Sequence, residues 1–174
     1  MDGTVNVGVV GTSWWSDFWH VPYLCSHPRA ELRAVCGRNR ARAEEVAAKH
    51  SIPRVFTDFR EMIRSSKIEA IVVAVPDDLH HAVTMAALDA GLHVMCEKPL
   101  AVTVKDARAM CEKAESAGVT HMTNFTCSIR YLGSYGRGKT YAWRFDHAHG
   151  CGVLGDLGSH MIDLSRWFRA TSRG

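Results

Sequence analysis

No apolar run in these 174 residues approaches the roughly 18 that a membrane-spanning helix needs. The opening MDGTVNVGVV has no basic stretch ahead of a long apolar one, so no secretory signal is expected. The six cysteines (Cys25, Cys36, Cys96, Cys111, Cys127 and Cys151) form no C-x-x-C pair. They stand inside apolar segments, where free cysteine behaves as a small hydrophobe. That usage points to a reduced, cytoplasmic protein. Charge of one sign is scarce as well: a net +3 with acids and bases interspersed carries no signature for nucleic acid or for a membrane surface. Internal repeats and low-complexity tracts are missing. What is present is a 47% hydrophobic chain, enough to build a packed core.

Short β-branched runs alternate with helical patterns up to residue 124. VNVGVV (residues 5–10), ELRAVC (31–36), RVF (54–56), IEAIVVAV (68–75), HVMCE (93–97) and VTHMTN (119–124) are predicted strands. Predicted helices cover residues 14–25 (interrupted near Pro22), 41–50, 58–64, 78–91 and 103–118. Alternation with short connections predicts an α/β fold, a doubly wound parallel sheet of the Rossmann kind with helices on both faces. The nearly all-apolar fourth run suits a strand covered on both sides. After residue 124 the pattern changes to glycine-rich loops, one strand (YAWRFD, 141–146) and, after a loop over 147–155, one helix that ends near Phe168. Some fifty residues of that kind cannot bury a core of their own.

Three stretches carry chemistry. The first strand runs into GTSWWS, where a dinucleotide fold places G-x-G-x-x-G. The three positions here are Gly11, Ser13 and Ser16. A serine at the second puts a Cβ where a pyrophosphate should approach, although its hydroxyl can donate to phosphate, and the helix N-terminus favours an anion. The plain alternative is a tight turn without a ligand. The second strand ends in CGRNR, with Arg38 and Arg40 and no acid to bond a ribose 2′-hydroxyl. Arg38 can pair with a 2′-phosphate, which favours NADP over NAD; the alternative is that both arginines are solvated surface charges. The fifth strand ends in Glu97-Lys98-Pro99. Ligands of open parallel sheets bind at the carboxyl ends of the strands, where Lys98 can stabilise a developing alkoxide or donate a proton, unless it merely pairs with Glu97.

Within GVLGDLGSHMIDLSRWF (residues 152–168), Asp156 and His160 stand four apart on one face, at the start of an amphipathic helix that runs to about Phe168. Standing alone, the pair is an aspartate favoured by the helix dipole and a satisfied histidine. HAHGC adds His147, His149 and Cys151 nearby. Zinc accepts such ligands, but the spacing matches no common site, and no metal is expected.

VGVVGTSW, AVPDDLHHAVTMAALDAGLHVMCEKPLA and GVLGDLGSHMIDLSRWF together resemble the Gfo/Idh/MocA family of oxidoreductases (glucose–fructose oxidoreductase and inositol dehydrogenase-like) over most of the chain. The resemblance implies an NAD(P)-dependent oxidoreductase that moves a hydride between a nicotinamide and a sugar, polyol or related secondary alcohol. It implies catalytic roles for Lys98, Asp156 and His160. It implies cofactor contacts at Gly11, Thr12, Ser13, Trp14, Arg38, Pro76, Asp77, His80, Glu97 and Lys98, and a cis peptide before Pro99. Ser13 stands where the family often carries glycine, and Asp77 where it often carries asparagine. Residues 1–124 would be the dinucleotide-binding domain, and 125–174 a truncated fragment of a C-terminal substrate and dimerisation domain, which leaves room for a homo-oligomer. A non-catalytic dinucleotide-binding or interaction fragment is the alternative, because a cleft with one wall cannot exclude water or orient a substrate.

Overall fold

The computed structural model describes residues 3–124. Six strands form one parallel sheet: β1 Val5–Val10, β2 Ala30–Cys36, β3 Arg54–Phe56, β4 Ala70–Val73, β5 His93–Glu97 and β6 His121–Asn124. Their order is β3-β2-β1-β4-β5-β6. The chain winds outward from β1 to one edge, then crosses back past β1 to build the other, as in a dinucleotide-binding fold. The doubly wound expectation holds. Between the strands lie a π-turn, Ser16–His20, and helices α1 Val21–Ser26, α2 Arg40–His50, α3 Phe59–Ser65, α4 Asp77–Asp89 and α5 Val104–Ala117. None of these helices is long and apolar enough to cross a membrane.

Strand alternation sorts the apolar residues into two cores. Val7 and Val9 of β1 and Val72 of β4 pack with Val21 of α1 and Val46 and Ala47 of α2. Val10, Ile71 and Val73 face the other way, onto Met62 of α3, Val83 and Ala87 of α4, and Met110 and Ala114 of α5. Central strands covered on both faces have no solvent side, so they are apolar nearly throughout. In β2 the register skips Arg33: Val7 pairs with Leu32, but Gly8 pairs with Ala34. This bulge puts Leu32 and Val35, three residues apart, into the same core.

Element ends differ from the sequence expectation by small amounts, each with a local cause. Asp58 accepts the Arg60 N–H at 2.8 Å, and Thr103 Oγ1 accepts the Asp106 N–H at 3.0 Å. Both are caps, one residue outside their helices. Past α4, the Gly91 N–H bonds the Leu88 carbonyl and the Leu92 N–H bonds that of Ala87, each at 3.0 Å, with Gly91 at φ 71°. That is a Schellman ending. β4 is shorter than its apolar run because the Val75 carbonyl leaves the ladder for His80 Nε2, 2.9 Å away.

The largest difference is in the first helical segment. A proline removes an N–H from the helical ladder, and an interruption is expected near Pro22. The chain instead continues through it: the π-turn closes with the Val21 N–H on the Ser16 carbonyl, and Pro22 falls in the first turn of α1. The YAWRFD strand, the helix ending near Phe168 with Asp156 and His160, and the HAHGC stretch lie outside the described residues.

Candidate cofactor site

The sheet reverses its winding between β1 and β4, so a crevice opens at their carboxyl ends. Gly11 closes β1 there at φ 126°, and its N–H donates to the Cys36 carbonyl at 2.9 Å. A Cβ on Gly11 would stand 2.0 Å from the Ala74 carbonyl oxygen, so the first turn lies directly on the end of β4. Thr12 packs on Gly37 in the same way: a Cβ on Gly37 would meet Thr12 Oγ1 at 2.6 Å. The first turn is therefore seated between the ends of β2 and β4.

Ser13 occupies the second glycine position, and its Oγ accepts the Ser16 N–H at 3.3 Å. The hydroxyl thus caps the helical segment as an acceptor and keeps its own proton to donate. Ser13 and Trp14 are both exposed. Ser16, at the third position, is 0% exposed, and its Oγ makes no hydrogen bond among the described residues. A buried hydroxyl without a partner is unfavourable by ~1 kcal/mol or more. Ser16→Ala is therefore expected to leave the melting temperature unchanged or to raise it; a clear drop in a thermal melt would show that the hydroxyl has a partner.

At the end of β2 three arginines follow in close order. Arg40 Nε bonds Glu44 at 2.9 Å. Arg42 bonds Asp17 at 2.8 Å and Glu45 at 2.7 Å, and its Nε donates to the Thr12 carbonyl at 3.3 Å. Exposed Arg38 takes part in no ion pair among the described residues. Asp17 also receives Lys49 at 3.0 Å and His50 Nε2 at 2.8 Å. Burial alone would push its pKa up, but the His50, Lys49 and Arg42 hydrogen bonds lower it from 3.8 to about 2. This cluster fastens the π-turn to α2. Sequence reasoning missed it, since nothing local marks Asp17 as the meeting point of three bases.

Pro76, Asp77 and His80 stand at the start of α4, after β4. His80 is 1% exposed. Its Nδ1 lies 2.7 Å from the Pro99 carbonyl and its Nε2 2.9 Å from that of Val75. The ring thus ties the turn after β4 to the turn after β5. The Lys98–Pro99 peptide is cis, as the resemblance implies.

Glu97 ends β5 and is 6% exposed. Its Oε1 accepts from Trp15 Nε1, His20 Nε2 and Asn124 Nδ2, each at 2.8 Å, and its Oε2 accepts the Lys98 N–H at 3.2 Å. Burial would raise the carboxyl's pKa; the bonds from His20, Trp15 and Asn124 outweigh it and lower the pKa from 4.5 to about 2. Lys98 is consequently held one residue beyond a fixed, ionised carboxylate. Of the expected site residues, the structure brings Gly11, Thr12, Ser13 and Trp14 together with Arg38 on one side of the crevice. Pro76, Asp77, His80, Glu97 and Lys98 stand on the other. Trp15 and His20, which link the sides, and Asn124, which holds Glu97 from the neighbouring β6, carry no motif of their own.

Residues 5–125 match the model of the GFO/IDH/MocA oxidoreductase family, described as an NAD-binding Rossmann fold. Residues 105–171 match that of the GFO/IDH/MocA C-terminal domain. The chain is 30% identical to D-glucoside 3-dehydrogenase of Escherichia coli (strain K12), covering 94% of this chain and 53% of that one. It is 33% identical to trans-1,2-dihydrobenzene-1,2-diol dehydrogenase of Macaca fuscata fuscata, over 93% of this chain and 54% of the relative. Among solved structures it resembles GenD2 from gentamicin A biosynthesis in complex with NAD, with a TM-score of 0.82 and 26% identity over 96% of this chain and 54% of that one. The chain spans about half the length of the curated relatives it matches. With the winding order, the Gly11 turn and the Glu97-Lys98-Pro99 turn all in place, the chain belongs to the Gfo/Idh/MocA family of oxidoreductases.

Proposed function

We infer that this chain carries the cofactor half of an oxidoreductase that prefers NADP and acts on a sugar, polyol or related secondary alcohol. One observation carries the reading: the turn on Gly11 and the turn bearing Lys98 stand at the same carboxyl edge and are joined through Glu97, by Trp15 Nε1 at 2.8 Å. The residues fit a dinucleotide. Gly11 lets the first turn close tightly against the end of β4, Ser13 keeps a proton for a phosphate oxygen, and no acid at the end of β2 opposes a 2′-phosphate at Arg38.

A bound nicotinamide dinucleotide supplies the hydride acceptor or donor. Lys98 would hold the substrate oxygen and stabilise charge developing on it. His160 would take the hydroxyl proton, a task suited to an imidazole, and Asp156 would position the substrate or that histidine. Residues 125–174 would belong to the substrate and dimerisation domain. His80, buried with both nitrogens on carbonyls, would act on the cofactor through the two turns it ties together.

Fluorescence titration with NADPH and NADH tests this. The wild type should bind NADPH more tightly, and Arg38→Ala should weaken NADPH by roughly tenfold, the loss of one charge-assisted contact, while sparing NADH. Equal loss for both would show that Arg38 does not read the 2′-phosphate. NADPH binding without turnover of any sugar or polyol would favour a non-catalytic dinucleotide-binding role.

A further inference from the structure

Trp15 and His20 stand five residues apart, yet both reach one oxygen, Glu97 Oε1. On an α-helix, with 3.6 residues per turn, side chains at that spacing diverge. The i→i+5 repeat of the π-turn Ser16–His20 brings them to one side. The contacts span 82 and 77 residues of sequence, so this is long-range registration and not a local turn. Asn124 Nδ2 is the third donor on the same oxygen.

With Oε1 held by three donors, Glu97 cannot rotate, and Oε2 is left facing the Lys98 N–H. A buried carboxylate is an unfavourable way to fill volume, since an apolar side chain does so without desolvating a charge. What the carboxylate offers is direction. The same indole belongs to the helical segment that Ser13 caps directly after the Gly11 turn. A connected path therefore runs from the first turn, through the capped backbone to Trp15, and by hydrogen bonds through Glu97 to the backbone of the lysine turn.

We propose that Trp15 and His20 are positioning residues: by fixing Glu97 they hold Lys98 in register with the cofactor turn, so that ordering the one turn orders the other. This rests on the reading of Lys98 as the group that holds the substrate oxygen. His20→Phe and Trp15→Phe remove the donors and keep aromatic volume; His20→Gln keeps a donor. In spectra of the ¹⁵N-labelled chain without cofactor, the Lys98 amide should move upfield in both Phe variants and return toward its wild-type position in His20→Gln. NADPH affinity should fall by about fivefold in the Phe variants, the effect of one ordinary hydrogen bond.

In the wild type, NADPH should shift the Trp15 indole and the Lys98 amide along one saturation curve, a measurement that needs no variant to fold. A Lys98 amide unmoved by loss of either donor, or unresponsive while Trp15 shifts, would overturn the proposal. A wild type that binds no NADPH at all would sink the oxidoreductase reading instead, and leave the cofactor-free amide comparison to decide this one.

Discussion

Gly11→Ala should cripple the fold as well as the site, with a loss of about 3–5 kcal/mol in a denaturant titration. Two effects add. The native φ of 126° is a region that residues with a Cβ enter only with strain. The new methyl would also stand 2.0 Å from the Ala74 oxygen, 2.6 Å from its carbonyl carbon and 3.3 Å from its Cα. All three are backbone atoms, so no rotamer change relieves the overlap; β1 and β4 must separate, and they are neighbours at the middle of the sheet. Domains are stable by only about 5–15 kcal/mol, so the variant should unfold at markedly lower urea and bind NADPH poorly even where folded. A melting temperature within a few degrees of the wild type would show that the end of β4 can give way.

Acid should destabilise the domain over a defined window, and Glu97→Gln should flatten the response. Glu97 titrates at about 2 when folded against an ordinary 4.5, and Asp17 at about 2 against 3.8. For a carboxylate depressed by folding, the stabilisation is fully present above the unfolded value and is lost as pH falls through the folded one. Stability should thus be level above pH 5 and decline between about 4.5 and 2. For well-buried Glu97 the loss is on the order of 3 kcal/mol. In Glu97→Gln the amide can accept through one atom only, and its NH₂ would face the Lys98 N–H. The variant should be less stable at neutral pH by a few kcal/mol, and the two proteins should converge near pH 2. Urea midpoints at a series of pH values measure this. Parallel curves with a constant offset would show that Glu97 is not the group that titrates.

Much of this architecture was legible because its determinants are local. β-branched runs marked all six strands, Thr103 and Gly118 bracketed α5, and the Glu97-Lys98-Pro99 turn fell at a strand's carboxyl end. Gly11 could be recognised as the first glycine of the turn, although the reason for it, the Ala74 carbonyl, lies more than sixty residues away. The helix through Pro22 was misjudged because a π-turn has no propensity signature; it appears where tertiary contacts reward it. Trp15, His20 and Asn124 gave no signal, since each matters only through a carboxylate that the fold delivers from another strand. The arginines after β2 showed their type but not their partners. Arg40 and Arg42 have theirs on α2 and the π-turn, and this separates them from Arg38.

The position of β1 has a consequence for the order in which the molecule comes into being. β1 leaves the ribosome well before β4, yet it pairs with β4, and its turn rests on Ala74. The carboxylate that gathers Trp15 and His20 arrives only with β5, and Asn124 only with β6. Long-range parallel pairings must wait for loop closure, so the crevice takes shape only once most of the sheet exists. A nascent chain therefore has no partial crevice for a dinucleotide to stabilise. Cofactor added during refolding should leave the early phases unchanged and act only by drawing off the finished domain.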